Sequence, residues 1–325
     1  MSGRPAPSPQ PPGSTFRRLW IYLLQMFPPA LMIPYGFASF YSLYLALQAG
    51  SGATTLVVTG RSLAGACTLV LFMLLLRVYD ELKDAAGDLR LAAAGDPRYV
   101  HRPLATGRVL LQDIVRLRWV VTVLLCGINL PLGCPWPLVG FVGYFLLTWC
   151  SLNWYFSPRI QQSLLLAFLT HNPLALVGAL YVLTVHLADH GPAGLGWWML
   201  PLLLACWLPL AAWEVGRKVR VPAAETVYPT YSQALGLRPA ALFPGLAGLL
   251  AAGLLVGLGA RWHLGWGFLA LLTLPALLLL GRSLLAALAP TPARTRLEPY
   301  AMLLAALTPL ALIGALVVAR GLSWR

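Results

Sequence analysis

Four carboxylates, Asp80, Glu81, Asp84 and Asp88, fall within nine residues of a chain that has only ten acidic residues altogether. Asp80, Asp84 and Asp88 are spaced i, i+4, i+8, so on a helix they share one face, where like charges repel. A divalent cation reverses the sign of that cost. Magnesium is a hard cation that takes oxygen ligands, typically one or two carboxylates completed by water and by substrate phosphates. Lys83, with Arg77 and Arg90 on either side, supplies cations suited to phosphate oxygens. The row reads as one side of a Mg²⁺–phosphate site. The competing reading is a solvated helix end whose acids and bases pair with one another.

A second acid-base stretch, "AAWEVGRKVRVPAAETVYPTYSQALG", covers residues 211–236. Glu214 closes an apolar run, and Arg217 and Lys218 follow three and four residues later on the same helical face. Pro222 ends the helix, and Glu225 lies in a polar stretch that closes with Thr230, Tyr231 and Ser232. One carboxylate with two or three cations suits one side of a bound diphosphate. A plain helix end carrying positive charge is the alternative for this stretch taken alone.

The elements that must position these groups are apolar. The chain has 325 residues, is 59% hydrophobic and only 10% charged, and has a mean hydropathy of +0.74. Soluble domains carry about 25% charged residues. Runs of about 20 apolar residues, long enough to cross about 30 Å of hydrocarbon, recur at roughly 18–48, 54–79, 109–133, 137–156, 163–188, 196–219, 239–262, 265–288 and 297–322. The expectation is an all-α integral membrane bundle of nine transmembrane helices. With the N-terminus in the cytoplasm, most of the Arg and Lys residues fall on the cytoplasmic side, as the positive-inside rule requires. The net charge of +13 is thereby explained without a nucleic-acid partner.

Most connections between the spans are short. Two are long and polar and share the expected cytoplasmic face: about Asp80–Arg108 and about Glu214–Arg238. Residues 1–15, rich in Pro and Ser, read as a disordered cytoplasmic tail and residues 16–325 as a single domain. The five cysteines have no paired spacing, which argues against a disulfide framework or a Cys-ligated metal.

These features together resemble the UbiA superfamily of intramembrane prenyltransferases. Its members have nine transmembrane helices and two Asp-rich cytoplasmic motifs, after helices two and six, that bind Mg²⁺ and the diphosphate of a prenyl donor. The first family motif, N-D-x-x-D-x-x-x-D, is followed by R-P-L-P-x-G. Here "LRVYDELKD" places Asp80 and Asp84 on the last two acids, and "HRPLATGRV" places Arg102, Pro103, Leu104 and Gly107 on the downstream segment. "WYFSPR", 154–159, is similar to the Y-x-x-x-K/R stretch after helix four and puts Arg159 at its basic position, while "TYSQALG" resembles the segment after the second motif. Leu76 and Arg77 replace the leading Asn and Asp. In the second motif Glu214 stands for the first Asp, and Val221 and Ala224 occupy later acidic positions.

The resemblance implies a Mg²⁺-dependent enzyme that moves a prenyl group from a prenyl diphosphate to a lipophilic acceptor, such as an aromatic quinone precursor, in the cell's inner membrane. It implies Asp80 and Asp84 as catalytic, Asp80, Asp84, Asp88 and Glu214 on the metal, and Lys83, Arg102, Arg159, Arg217, Lys218 and Arg220 on the diphosphate. Tyr155 and Tyr231 would line the substrate site, where aromatic faces stabilise an allylic cation. Tyr79, Tyr144, Trp149 and Trp154 share that reading with ordinary interfacial anchoring, whereas Trp136, Trp197, Trp198, Trp262 and Trp266 read as anchors only. A terpene cyclase on the same scaffold, and a non-enzymatic lipid-binding or transport bundle, stay open as alternatives. His171 and Asn172 read as a helix–helix hydrogen bond beside a Pro173 kink, with orienting an acceptor or relaying a proton as the alternative, and Gly253 with Gly257 as a close helix contact.

Overall fold

The computed structural model describes residues 13–132 and 135–325. The expected tail therefore lies, up to residue 12, outside the described residues. Helix α1, Thr15–Met26, begins inside the stretch expected to be disordered, with the Ser14 hydroxyl accepting from the Arg17 amide. α2, Pro29–Gly50, follows. The apolar run expected to be one span from residue 18 is thus two helices. Pro28 and Pro29 lack the amide protons that a continuous helix would need there, and α1 alone is amphipathic.

β1, Leu56–Val58, leads into α3, Gly60–Ala93. Next come α4, Leu111–Asn129, extended by a short turn at Leu130–Leu132, and α5, Pro135–Leu152. A corner follows with α6, Pro158–Gln162, then α7, Leu164–His171, and α8, Leu174–His190. The chain continues with α9, Met199–Gly216, α10, Tyr231–Leu235, α11, Leu237–Arg261, α12, Gly265–Leu288, and α13, Glu298–Arg320. β2, Leu322–Trp324, pairs in parallel with β1, Leu56 opposite Leu322. Among the described residues nine helical stretches are long and apolar enough to cross a membrane, counting α7 and α8 as one. They match the nine expected runs.

α3 has 34 residues, which at about 1.5 Å per residue makes it about 51 Å long. About 20 residues suffice for the hydrocarbon, so its last turns extend past the apolar part. The expected loop does not begin at Asp80. The helix runs through the acids because "KDAAGDLRLAA" is rich in helix formers, and it stops just before Gly95, whose φ of +83° suits glycine.

The chain divides into two compact units: residues up to Pro34 with Val70–Ile128, and Tyr35–Leu69 with Asn129–Arg325. In the first, α1 is fastened by Arg18. Its guanidinium donates to both carboxylate oxygens of the fully buried Asp113 at 2.7 and 2.9 Å. In the second, α11 packs against α9 and α12 through small residues. A Cβ on Gly245 would meet the Leu280 backbone at 2.9 Å, and one on Gly259 would meet Phe268 at 2.4 Å. Gly253 and Gly257, the expected contact pair, have nothing within 4 Å of such a Cβ. The spacing is right, but that side of α11 faces outward.

Trp198 and Trp262 also differ from expectation. They are buried and meet edge to face at 5.9 Å, so they are core residues, while Trp136, Trp197 and Trp266 are exposed. The α7–α8 break falls at Asn172–Pro173, where the Asn172 side chain accepts from the Trp207 indole at 2.6 Å. This is the helix–helix hydrogen bond expected beside Pro173.

Candidate active site

The first cluster sits on the last five turns of α3 and the segment after it. Lys83 donates to Asp80 at 2.9 Å; the lysine side chain is buried, whereas Asp80 is half exposed. Arg77 pairs with the buried Glu81 one turn on. The cation that replaces the family motif's acid is thus neutralised on its own helix. Arg102 reaches back from the downstream segment to Asp88 and lies 4.3 Å from the centre of the buried Tyr99 ring. The "HRPLATG" stretch is thereby tied to the end of the acid row, and Gly107, φ +69°, turns the chain on toward α4.

Asp84 differs from its neighbours. Among the described residues it has neither a hydrogen bond nor an ion pair, although acids stand one turn to either side of it. Packing is dense enough to leave it only partly exposed. An unpartnered carboxylate in such a place is costly unless a cation arrives.

Tyr22 is the residue of this cluster that the sequence did not mark. Its ring is buried and its hydroxyl has no hydrogen-bond partner among the described residues. Burial lifts the phenol above its ordinary range, and Arg77, Glu81, Asp80 and Arg102 are the charges that act on it. The i, i+4 spacing puts Tyr22 on the same face of α1 as Arg18, the side that the Arg18–Asp113 pair turns inward.

The second cluster is built on the last turn of α9. A carboxylate there opposes the helix dipole, whereas cations favour it. Glu214 is held by two: Arg217 donates to it at 2.7 Å and Lys218 at 2.9 Å. The buried Lys218 ammonium lies 5.7 Å from the ring centres of both Tyr228 and Tyr231. The chain then folds back on itself. Tyr231 N–H donates to the Lys218 carbonyl at 3.1 Å, and Arg220 N–H to the Ser232 hydroxyl at 2.8 Å. A capping box between Thr230 and Gln233 starts α10, and the Thr230 hydroxyl donates to Glu225 at 2.8 Å. Glu225 is thus spent on the local fold. Among the described residues the Tyr231 hydroxyl is buried without a hydrogen-bond partner, and burial, then the charge of Glu214, push its phenol up.

The remaining site candidates stand apart from these contacts. Tyr155 lies in a three-residue stretch, Trp154 to Phe156, whose φ values are all positive, and its hydroxyl donates to the Thr170 carbonyl at 3.0 Å. Its ring meets His171 edge on at 5.3 Å. Arg159 is exposed and has no ion pair among the described residues. Tyr231 does reach this region, meeting Phe168 of α7 at 5.9 Å.

No group of three His, Cys, Asp or Glu side chains that could hold a metal occurs among the described residues. Spacing by whole turns spreads Asp80, Asp84 and Asp88 along α3 instead of closing them around a point. A protein-only metal cage does not fit. Magnesium held by one or two carboxylates, with water and phosphate oxygens completing its shell, does fit, with Asp84 the ligand at hand and Asp80 beside it.

The sequence matches no protein-family model and no curated protein. Among solved structures it resembles a chain described as digeranylgeranylglyceryl phosphate synthase in membranes, at 14% identity and a TM-score of 0.59, over 93% of this chain and 99% of that one. The likeness is one of fold: the all-helical membrane fold of this chain is the fold found there.

Proposed function

We propose that this protein is a membrane prenyltransferase that cleaves a prenyl diphosphate and passes the prenyl group to a lipophilic acceptor. One observation carries the reading. Among the described residues Asp84 is a carboxylate with neither a hydrogen bond nor an ion pair, set one helical turn from both Asp80 and Asp88, and Asp88 is paired with Arg102 of the downstream segment.

In the proposed step the allylic C–O bond breaks and its electron pair leaves with the diphosphate. Bound Mg²⁺ would neutralise the charge that develops on those oxygens, held by Asp84 and Asp80, with Asp88 and Glu214 as further candidates. Both of the latter are already paired with arginine or lysine. The chain's own cations do the rest: Lys83, Arg102, Arg217, Lys218 and Arg220 orient the diphosphate and stabilise the leaving group electrostatically. Aromatic rings, Tyr231 first among them, give the allylic cation a π surface while water is kept out. The acceptor captures the cation and loses a proton.

Purified protein incubated with Mg²⁺ and a labelled prenyl diphosphate tests this. The double substitution Asp80→Asn with Asp84→Asn should abolish diphosphate release while leaving the elution profile unchanged. Normal turnover by that variant would refute the assignment. A cyclic hydrocarbon released without acceptor would point to the cyclase reading.

A further inference from the structure

The basic stretch after α9 does not face one way. Lys218 is packed toward Glu214 and Tyr231, but Arg217 and Arg220 line a separate cavity of about 240 Å³, whose opposite wall is the α12–α13 connection with Thr295, Arg296 and Glu298. That volume is below the roughly 300–1,000 Å³ of sites for drug-sized ligands and suits a headgroup.

The charge here is not compensated. Arg220, Arg282, Arg294 and Arg296 have no carboxylate partner among the described residues, and Arg296 has no hydrogen bond at all. Arg220 and Arg282 instead lie 5.9 and 4.9 Å from the Tyr228 and Tyr300 ring centres. Glu298 is the acid of the cavity, against three arginines, of which Arg217 is already paired with Glu214. Guanidinium forks match phosphate oxygens in a way that ammonium groups do not.

A second observation says what brings the phosphate. The helices that frame the connection expose long apolar side chains next to it: Leu284, Leu285 and Leu288 at the end of α12, Met302 and Leu303 at the start of α13. Apolar surface beginning where a basic cavity ends fits a lipid, with acyl chains along the helices and the phosphate above them. Basic cavities between transmembrane helices bind anionic headgroups in this way.

We propose that the cavity between the α9 end and the α12–α13 connection binds the headgroup phosphate of an anionic phospholipid. The assignment shares Arg217 and Arg220 with the prenyl-transfer reading, but its test varies neither and involves no turnover. The full-length protein in detergent is titrated with phosphatidylglycerol and, separately, phosphatidylcholine, and bound lipid is counted by native mass spectrometry. The expected result is about tenfold tighter retention of phosphatidylglycerol, a difference of about 1.4 kcal/mol. Arg296→Glu should erase that preference and Glu298→Gln should enlarge it, while Arg294→Ala, outside the cavity, should leave it alone. Equal retention of both lipids, or a preference unchanged by Arg296→Glu and Glu298→Gln alike, overturns the proposal. So does displacement by inorganic phosphate that binds as tightly as the lipid, since the ligand would then be a soluble ion.

Discussion

The two acid-base clusters are opposites in one respect. On α3, Asp80, Glu81, Asp84 and Asp88 outnumber their partners Arg77, Lys83 and Arg102, and Asp84 is left over. At the end of α9, Glu214 is shared by Arg217 and Lys218, and Arg220 is left over. One cluster has a carboxylate to give to a cation, and the other has guanidinium to give to an anion. An ion pair that is complete in the protein alone is a poor candidate for chemistry, and an incomplete one is a good candidate. By that measure the proposed metal would sit on the α3 cluster, and Glu214 would position cations.

The sharpest way to break the comparison is Asp84→Asn. It should lower turnover about 1,000-fold, or about 4 kcal/mol, the upper end of what one electrostatic contact to a transition state supplies, with thermal unfolding unchanged. A loss that excess Mg²⁺ restores would sharpen the assignment further. If Glu214→Gln costs as much as Asp84→Asn, the division into a metal side and an anion side is wrong.

Arg18→Ala should act on the scaffold of the first cluster. It leaves Asp113 buried without its guanidinium, and removing one partner of a buried pair costs about 3–5 kcal/mol. Here the cost falls at the low end, about 3 kcal/mol, because Arg116 stands 3.6 Å from Asp113 and partly replaces the lost charge. The readout is the unfolding temperature of detergent-solubilised protein, which should fall, whereas Asp84→Asn leaves it in place.

Glu214→Gln should cost about tenfold, or about 1.4 kcal/mol, and should appear as a raised KM for the prenyl diphosphate. The carboxylate's work here is to fix the fork of Arg217 and the ammonium of Lys218 at the α9 terminus, where the dipole already favours cations. A mutant whose apparent affinity for Mg²⁺, and not for the diphosphate, weakens would return Glu214 to the metal.

How much of this was legible beforehand follows from which forces act locally. The nine spans were readable because hydrocarbon demands long apolar runs and almost nothing else. The acid row was readable because its spacing is that of one helical face. Asp84's special status was not, since Lys83 could as well have reached it as Asp80, and only the packed structure shows which acid is left alone. Arg18 and Tyr22 were lost inside an apolar run that the Pro28–Pro29 pair divides. The inward Trp198 and Trp262 were missed for a related reason: an indole at the end of a span looks the same in sequence whether lipid or a neighbouring helix receives it.

Gly253 is the mildest test of the same lesson, because a glycine spacing alone cannot say which side of a helix is in contact. If the G-x-x-x-G spacing marked the interface, alanine at residue 253 would push two helices apart. In the structure that position is open, while a Cβ at Gly245, eight residues earlier, would press on the Leu280 backbone and the Ser283 side chain. Gly253→Ala should therefore leave stability unchanged or raise it by up to about 1 kcal/mol, the helix-propensity gap between glycine and alanine. Gly245→Ala should lower it by about 1–3 kcal/mol through overpacking. Parallel unfolding curves of the two variants decide the matter, and a reversed order would mean that α11 turns its other face to α9 and α12.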